Sequence, residues 1–445
     1  MFHKILIANR GEIALRIIKA AKQLGIETLI VYSSADKDSL PVQLADASVC
    51  IGPPASSKSY LNQESIIQTA IHHGCEAIHP GYGFLSENAE FVEKCENNGL
   101  SFIGPKASVI RCMGDKQSAR KLMKENGVPI VPGSEDIVKT ADEAKEIASN
   151  IGFPVLLKAS AGGGGRGMRI ANSAEEIDEA FNAATSEALS AFGNGDLYIE
   201  KYILNPRHIE VQILADEFGN IVHLGERDCS IQRRNQKMIE EAPANCLTGD
   251  IRSYLLDAAI KAARAANYTN AGTVEFVVDP NENHYFIEMN TRVQVEHPVT
   301  EMITGIDIVR SQILIASGEK LDFAQNDILV RGYSIECRVN AEDVDRGFAP
   351  SPGRIEYLRY PSGEGVRIES AIQAGTTISP WYDSMICKVI VHAPSRDEAI
   401  RKMIFALQEF KIDGVKTNIE FLLRILNNND YCEGKVDTSF VSGLL

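Results

Sequence analysis

Short apolar runs alternate with amphipathic segments up to about residue 110, and this alternation constrains the fold more than any other feature. The run "KILIA" is followed by the helix-like "GEIALRIIKAAKQLG" and then by "ETLIVYS", and "ESIIQTAIHHGCEAIHPG" and "NAEFVEKCENNGLSFIG" repeat the order. Such an alternation is typical of a parallel sheet covered by helices. We therefore predict an α/β domain here, and the single glycine of "ANRGEIA" excludes the dinucleotide-binding fingerprint.

A run of glycines in "KASAGGGGRGM", residues 158–168, lies between the apolar runs "FPVLLKA" and "GMRIA". A P-loop needs the sequence GK[ST] and a following helix, and neither is present. We predict instead a glycine flap between antiparallel strands, whose backbone N–H groups contact phosphate oxygens beside the charge of Lys158. A flexible surface hairpin is the alternative interpretation.

The rest of the chain is richer in strands and includes a predicted helix near 395–409. These strands favour a largely antiparallel region, so we expect an α+β chain overall. We expect three parts, with boundaries at 1–113, 114–203 and 204–445.

Two glutamates face each other in the predicted hairpin "GTVEFVVDPNENHYFIEMN". If the chain reverses at "PNEN", pairing symmetric about Asn281 and Glu282 sets Glu275 opposite Glu288. Opposed carboxylates repel each other, so a cation should lie between them. Asn290 falls on the same face and adds a neutral oxygen, and an all-oxygen set favours Mg²⁺ or Mn²⁺. A solvated hairpin with two unrelated glutamates is the alternative.

Polar side chains alternate with apolar ones in two further stretches, "TRVQVEHP" and "PRHIEVQI". Read as strands, they place on one face the side chains of Arg292, Gln294 and Glu296, and of His208, Glu210 and Gln212. The first set could hold a small anion next to a base. In "RDCSIQRRNQKMIEEAP" a basic cluster suited to anions is formed by Arg233, Arg234 and Lys237. Solvated strand faces and a solvated charge run are the alternatives.

The overall charge excludes two classes of partner. The formal net charge of -15 argues against a general nucleic-acid binder and against an anionic-membrane binder. No apolar run approaches the roughly 18 residues needed to cross a bilayer, and the N-terminus resembles no signal peptide. The nine cysteines form no CxxC pair, which favours reduced thiols. We therefore expect a cytoplasmic protein with no nucleic-acid or membrane partner.

Over essentially its whole length the chain resembles the biotin carboxylases, the ATP-grasp enzymes of biotin-dependent carboxylases. The matching stretches are "ILIANRGEIALRII", "HPGYGFLSEN", "GDK", "KASAGGGGRGMR", "IEKYI", "RDCSIQRRNQK", "FIEMNTRVQVEHPVTE", "ECRVNAED" and "WYDSMICKV". The resemblance implies an ATP-grasp fold with an N-terminal parallel βαβ domain, a glycine-flap lid domain and a C-terminal antiparallel β-rich domain.

The resemblance also implies roles for particular residues. ATP would be bound by Lys116, Lys158, Gly164 and Gly165 of the flap, the hinge residues Glu200, Lys201, Tyr202 and Ile203, His208, Asn235, Glu275 and Glu288. Mg²⁺ or Mn²⁺ would be held by Glu275, Glu288 and Asn290. Bicarbonate would be held by Lys237, Arg292, Gln294 and the backbone of Val295, with Glu296 as the base. Biotin would be bound by Arg338, which stabilises its enolate, and by Tyr82, so the expected catalytic residues are Lys237, Arg292, Glu296 and Arg338.

Two positions depart from the family pattern. The flap usually has five glycines, and Ala161 replaces the first; position 235 is commonly histidine, and Asn235 stands there. An alanine with negative φ is compatible with the flap. Asn235 keeps a hydrogen-bond donor, but the change puts its nucleotide contact in doubt.

The implied activity is that of an ATP-dependent ligase that forms a C–N bond on biotin, using bicarbonate through carboxyphosphate. The chain has no "MKM" biotin-acceptor motif. We therefore expect biotin to arrive on a biotin carboxyl carrier protein and the carboxyl group to leave to separate carboxyltransferase subunits. The family implies a homodimer and, as parent complex, acetyl-CoA carboxylase in fatty-acid synthesis, with pyruvate or propionyl-CoA carboxylase as the alternative. Two rival classes are an ATP-grasp ligase that uses an amine and a catalytically silent nucleotide-binding regulator.

Overall fold

The first 114 residues form a parallel sheet with helices on its faces, as the alternation predicts. A computed structural model describes residues 1–160 and 167–445 of the chain. The strands are β1 (Lys4–Ile7), β2 (Glu27–Ser33), β3 (Ala47–Gly52), β4 (Ala77–His79) and β5 (Ser101–Phe102). The helices are α1 (Gly11–Gln23), α2 (Leu40–Leu44), α3 (Gln63–His72), α4 (Ala89–Asn97) and α5 (Ala107–Gly114). The sheet order is β3-β2-β1-β4-β5, with every neighbouring pair parallel.

Helix α1 shows how the sequence builds this layer. Its apolar side chains Ile13, Ile17 and Ile18 are buried in a core cluster with strands β1 and β2. The helix ends at Gln23, and Gly25, two residues later, has the left-handed φ of +74° that closes a Schellman motif. There the Ile26 N–H donates to the Ala21 carbonyl at 2.9 Å.

The glycine run lies between two antiparallel strands, as predicted. This part contains α6 (Lys116–Glu125), α7 (Ala141–Ile151), β6 (Val155–Ala159), β7 (Met168–Ala171), α8 (Ile177–Phe192) and β8 (Leu197–Lys201). The strand order is β7-β6-β8, and Lys158 pairs with Met168 across the flap. The run itself, with Ala161, Gly164 and Gly165, lies outside the described residues.

An eight-stranded sheet, in which every neighbouring pair is antiparallel, lies at the centre of the remaining chain. Its order is β13-β12-β9-β10-β11-β14-β21-β19. Its members are β9 (Arg207–Ala215), β10 (Ile221–Arg233), β11 (Gln236–Ala242), β12 (Asn270–Val278), β13 (His284–Asn290), β14 (Tyr333–Asn340), β19 (Val366–Ser370) and β21 (Met385–Ala393). Helices α9 (Gly249–Ala265), α10 (His297–Thr304) and α11 (Ile308–Ala316) pack on it.

The C-terminal core lies against β14 and β21. It is covered by α12 (Arg396–Glu409), which confirms the helix predicted near 395–409, and by α13 (Ile419–Leu426), α14 (Asn429–Cys432) and α15 (Phe440–Leu444). Short strands complete the region: β15 (Glu342–Asp343), β16 (Ala349–Pro350), β17 (Gly353–Arg354), β18 (Tyr357–Arg359), β20 (Thr377–Ile378) and β22 (Lys411–Asp413). Within the described ranges, no helix has the length and apolar character needed to span a bilayer.

Candidate active site

The hairpin of β12 and β13 sets Glu275 directly opposite Glu288, as predicted. Near the turn the register differs from the predicted symmetry, because Val278 pairs with His284 and Phe276 with Phe286. A β-bulge at position 287 then shifts the pairing by one residue and restores the predicted partner. The pKa of Glu288 is raised by burial and by the charge of Glu275.

The Lys237 ammonium contacts one member of this pair. Its Nζ lies 3.0 Å from Glu275 Oε1, 2.6 Å from Glu210 Oε2 and 2.6 Å from Glu296 Oε1. Burial would lower the pKa of Lys237, but the three carboxylates hold it well above its usual value. Lys237 is therefore a charged ammonium at the centre of the site.

The predicted basic cluster does not form. Because β10 and β11 meet in a tight hairpin, Gln232 pairs with Lys237 and Arg233 pairs with Gln236. Arg233 therefore points to the opposite face, where its guanidinium lies 4.0 Å from the Phe348 ring centroid. Of the cluster, Lys237 is the residue that reaches the site.

Residues 291–296 form a loop rather than the predicted strand. Strand β13 is the last in its sheet and ends at Asn290, and Glu296 is already the N-cap of α10. The loop still gathers the predicted side chains, because Arg292 donates to Gln294 Oε1 at 2.9 Å and to Asn290 Oδ1 at 3.0 Å. The loop leads directly into helix α10, whose first turn contains Pro298, so the chain does not continue as a strand.

Sequence reasoning missed the group that holds Arg292. The Arg292 Nε donates to Glu87 Oε2 at 2.8 Å, and the Thr291 N–H donates to Glu87 Oε1 at 3.1 Å. Glu87 lies in the stretch "HPGYGFLSEN". The sequence analysis identified this stretch as a motif but did not assign a role to its glutamate.

Glu296 lies between two cations. Its Oε1 contacts Lys237 Nζ at 2.6 Å, and its Oε2 accepts from Arg338 Nη2 at 2.9 Å. Burial would raise the pKa of Glu296, but Lys237, Arg338 and Arg227 hold it well below its usual value. The carboxylate is therefore ionised at neutral pH.

Arg338 is also held from a second side. Its Nε donates to Glu240 Oε1 at 2.6 Å, a contact that the sequence did not suggest. Burial would lower the pKa of Arg338, but Glu240 and Glu296 raise it above its usual value. The guanidinium is thus fixed between two carboxylates.

Tyr82 is linked to the same region through two residues that were not predicted. Its hydroxyl donates to Glu12 Oε1, which lies 3.0 Å from Lys388 Nζ. Lys388 in turn donates to the Val295 carbonyl at 2.7 Å. A chain of contacts therefore joins Tyr82 to the loop that carries Glu296.

The predicted metal ligands are only partly brought together. Asn290 Nδ2 donates to Glu275 Oε1 at 2.9 Å, so Asn290 and Glu275 touch, and Glu288 faces Glu275. Described residues also form two other groups that could hold a metal ion: His208, Glu210 and Glu275, and Glu210, Cys229 and Glu296. In both groups Glu210 contacts the Lys237 ammonium, and Glu275 contacts the same ammonium. Glu275 and Glu288, which are paired across the two strands, offer the carboxylate oxygens that a hard divalent cation prefers.

Three of the predicted nucleotide residues lie on strands β6 and β8: Lys158, Glu200 and Lys201. Lys158 forms an ion pair with Glu200, and Arg120, which was not predicted, lies 3.5 Å from the same carboxylate. The Lys201 ammonium points away, because it donates to the carbonyls of Gly152 and Phe153 at 3.0 and 2.7 Å.

The other predicted nucleotide residues lie on neighbouring elements. Lys116 is the first residue of α6, and Tyr202 and Ile203 follow directly after β8. His208 Nε2 lies 3.0 Å from Glu275 Oε2.

Asn235 occupies a special turn. Arg234 and Asn235 form the two-residue loop between β10 and β11, with φ of +49° and +63°. Two positive φ values are typical of a type I′ turn, in which asparagine is among the preferred residues. The departure from histidine therefore has a backbone explanation.

Family models match three consecutive parts of the chain. The biotin carboxylase N-terminal domain matches residues 1–110, and the ATP binding domain of the carbamoyl-phosphate synthase L chain matches 115–324. The biotin carboxylase C-terminal domain matches 336–443.

The chain is similar over its full length to named relatives. It is 56% identical over 440 residues to the biotin carboxylase of Nostoc sp., covering 99% of this chain and 98% of the relative. It is 54% identical to the 2-oxoglutarate carboxylase small subunit of Hydrogenobacter thermophilus, covering 99% and 93%. It is 53% identical to one of the pyruvate carboxylase subunits of Methanothermobacter thermautotrophicus, covering 99% and 90%.

Solved structures agree over the whole chain. The biotin carboxylase domain dimer of the Hydrogenobacter thermophilus 2-oxoglutarate carboxylase, in complex with MgADP, ADP and bicarbonate, has a TM-score of 0.94 at 53% identity, covering 100% of this chain and 98% of that one. A biotin carboxylase–β,γ-ATP complex from Campylobacter jejuni has a TM-score of 0.95 at 50% identity, covering 100% and 99%. The fold is therefore the one that these structures share.

Proposed function

The chain belongs to the biotin carboxylase family, and from this premise we propose that it carboxylates biotin on a separate carrier protein. It is an ATP-dependent enzyme that uses bicarbonate. The observation that carries the proposal is the placement of Glu296 between Lys237 and Arg338, at 2.6 and 2.9 Å. One carboxylate there meets a cation suited to bicarbonate and a cation suited to an enolate.

In the first step the chain would bind bicarbonate and activate it. Lys237, Arg292, Gln294 and the Val295 backbone would hold the anion, and Glu296 would take its proton. The freed oxygen would attack the γ-phosphorus of ATP, which forms carboxyphosphate and breaks the bond to ADP. Lys116, Lys158 and the glycine flap would neutralise the phosphoryl charge.

Glu296 would become a stronger base when the substrates bind. In the structure its pKa is held down by Lys237 and Arg338. Once these two cations turn toward bicarbonate and biotin, Glu296 loses their stabilisation and its pKa rises. The same contacts that keep it ionised would thus be released when the proton has to be accepted.

In the second step carboxyphosphate would release CO₂ beside biotin. The phosphate that remains would take the ureido N1 proton, and N1 would attack CO₂ to form carboxybiotin. Arg338 would stabilise the enolate oxygen, with Tyr82 lining the same cavity.

We propose that Glu275 and Glu288, with Asn290, hold the divalent cation that accompanies ATP. When bound, Mg²⁺ or Mn²⁺ supplies positive charge next to the phosphates. The opposed carboxylates and the raised pKa of Glu288 support this assignment, because a cation relieves their repulsion.

We propose further that the enzyme is a homodimer in the cytoplasm and serves acetyl-CoA carboxylase, together with a biotin carboxyl carrier protein and carboxyltransferase subunits. Support for the dimer comes from the dimeric relative, and support for the compartment from the free thiols of the nine cysteines. Pyruvate carboxylase is the second candidate parent, because one relative with 53% identity belongs to such an enzyme. We also propose that the domain boundaries lie at residues 113 and 203.

The testing experiment is ADP release from MgATP, with and without bicarbonate and with and without free biotin. We expect strict dependence on bicarbonate and stimulation by biotin. Glu296→Gln should lower the bicarbonate-dependent rate by about 10²- to 10⁴-fold, the usual range for losing a general base. The exposed Glu433→Gln is the matched control. ADP release that needs an amine in place of bicarbonate would contradict the proposal.

A further inference from the structure

A second pair of carboxylates faces each other next to Arg338. Glu240 on β11 pairs directly with Glu336 on β14, and both side chains are 0% exposed. Opposed residues of an antiparallel pair have Cβ atoms about 4.5 to 5.5 Å apart, a distance at which two buried negative charges repel strongly. This pair has no part in the mechanism described above.

The two side chains have too few hydrogen-bond donors around them for both to be ionised. Glu240 Oε1 accepts from Arg338, but Glu240 Oε2 and both oxygens of Glu336 have no hydrogen-bond partner within residues 1–160 and 167–445. Buried polar oxygens are normally hydrogen-bonded. One proton between the residues removes a charge and provides a hydrogen-bond donor that the pair otherwise lacks.

Charged groups and neutral thiols surround this pair. The charged groups are Lys388 on β21, Arg338 on β14, Lys237 on β11 and Glu296 at the N-cap of α10. The thiols, whose pKa values burial raises, are those of Cys229, Cys337 and Cys387. Lys388 already contacts Glu12 and the Val295 carbonyl, and Lys237 contacts three other carboxylates. His297 on α10 is kept neutral, since burial and Lys388 hold its pKa well below its usual value.

The neighbouring charges affect the pKa values of the two carboxyl groups differently. Burial raises the pKa of both, but the contact with Arg338 limits the rise for Glu240, to about 7. For Glu336 the pKa is raised well above its usual value, because the attraction of Lys388 is opposed by Glu240 and Glu296. The contacts agree with this order, because Arg338 donates to Glu240 whereas no described residue donates to Glu336, so Glu336 is the better site for a proton.

We propose that Glu240 is a positioning residue for Arg338 and that Glu240 and Glu336 together hold one proton. The inference rests on the proposed function of Arg338. When Glu296 takes the proton of bicarbonate, Arg338 loses one of its two counter-charges. Glu240 then remains as the ionised group that keeps the guanidinium aimed at the biotin oxygen.

The test compares two rates in four variants over a range of pH. The rates are bicarbonate-dependent ADP release without biotin, and carboxylation of free biotin. Glu240→Gln should lower kcat for biotin carboxylation by about 100-fold, the cost of a misplaced catalytic group, and should lower ADP release far less. Glu240→Asp should recover part of the loss, and Glu336→Gln should cost much less than Glu240→Gln, because an amide replaces a neutral acid. The exposed Glu356→Gln is the matched control.

The pH profile separates positioning from a merely structural role. Wild-type biotin carboxylation should rise as pH increases through about 7, where Glu240 ionises, and Glu240→Gln should lose this limb. An unchanged limb, or equal loss of both rates in Glu240→Gln, would overturn the positioning role.

Infrared spectroscopy tests the shared proton without relying on activity. The wild-type protein at neutral pH should show the C=O band of a protonated carboxylic acid, shifted by deuterium exchange and lost in Glu336→Gln. Absence of this band would overturn the shared proton, even in a protein without turnover. Absence of biotin-stimulated ADP release in the wild type would instead contradict the proposed function.

Discussion

Lys388 donates a hydrogen bond to the Val295 carbonyl at 2.7 Å and lies 3.0 Å from Glu12 Oε1. The side chain is 0% exposed, so this single ammonium ties strand β21 to the loop in front of Glu296 and to helix α1. Burial would lower the pKa of Lys388, but Glu12 and Glu336 raise it. It is therefore charged, and its removal leaves Glu12 without a counter-charge.

Lys388→Met should lower the free energy of unfolding by about 3 to 5 kcal/mol, the usual cost of leaving a buried charge unpaired. Unfolding in guanidinium chloride measures the loss. The double variant Lys388→Met with Glu12→Gln should recover part of it, because no charge is then left unpaired. Equal stability of the single and double variants would argue against the ion pair as the cause.

Glu87→Gln should raise the KM for bicarbonate by about 10-fold, since Arg292 loses a charge-assisted hydrogen bond that fixes its guanidinium. Steady-state ADP release at varied bicarbonate measures this change, and the KM for ATP should move less. Glu90→Gln, on the exposed face of the next helix, is the control. A change confined to the KM for ATP would contradict the assigned role.

Asn235→Gly should leave the free energy of unfolding unchanged or slightly increase it, because glycine also accepts the positive φ of the β10–β11 turn. Asn235→Val should lower it by about 1 to 2 kcal/mol, the cost of forcing such a residue into the left-handed region. Urea unfolding distinguishes the two. Equal effects of glycine and valine would show that the side chain, not the backbone, decides this position.

Arg396→Gln should destabilise the protein in a pH-dependent way. Arg396 contacts both Glu241 oxygens, at 2.7 and 2.9 Å. Burial would raise the pKa of Glu241, but Arg396 overrides this effect and lowers it. A carboxyl group whose pKa is lowered by folding stabilises the folded protein at any pH above its pKa in the unfolded chain, about 4.3. This stabilisation is lost as the pH falls toward and through its pKa in the folded protein.

The loss in Arg396→Gln should therefore be about 3 to 5 kcal/mol at neutral pH and should shrink below pH 4.3 or so. Urea unfolding of wild type and variant across this range measures the difference. A difference that does not depend on pH would assign the contact to packing rather than to charge.

Glu288→Gln should raise the Mg²⁺ concentration needed for half-maximal ADP release by at least about 10-fold, because the cation would lose one of its two opposed carboxylates. Titration of Mg²⁺ at fixed ATP measures the shift. Glu282→Gln, at the exposed tip of the same hairpin, is the matched control. An unaltered Mg²⁺ requirement would remove Glu288 from the metal site.

Local patterns predicted the N-terminal sheet and the partners of one key pair. The alternation of apolar and amphipathic segments predicted the N-terminal parallel sheet, and the turn "PNEN" predicted the pairing of Glu275 with Glu288. The sheet depends on periodicity in residues close in sequence. The glutamate pair was predicted from a symmetric turn, but it forms because a β-bulge at position 287 compensates for a different pairing near the turn.

Contacts between distant residues were not accessible in this way. Lys388 and Val295 are separated by 93 positions, and Arg338 and Glu240 by 98. The alternation in "TRVQVEHP" predicted a strand. It contains no information on the sheet order, in which β13 lies at the edge. Site residues on such loops and on remote strands become visible only once the sheet order is known.

The pairing of β11 with β14 has a consequence for how this chain can be divided. The sheet continues without a break from residues matched by the ATP-binding family model into residues matched by the C-terminal one. A fragment cut between Ser317 and Tyr333 would expose the edge of β11 over residues 239–242, an open template for pairing with other chains. Recombination between relatives at this junction must therefore preserve strand register, and separately expressed halves should aggregate or reassociate along that edge.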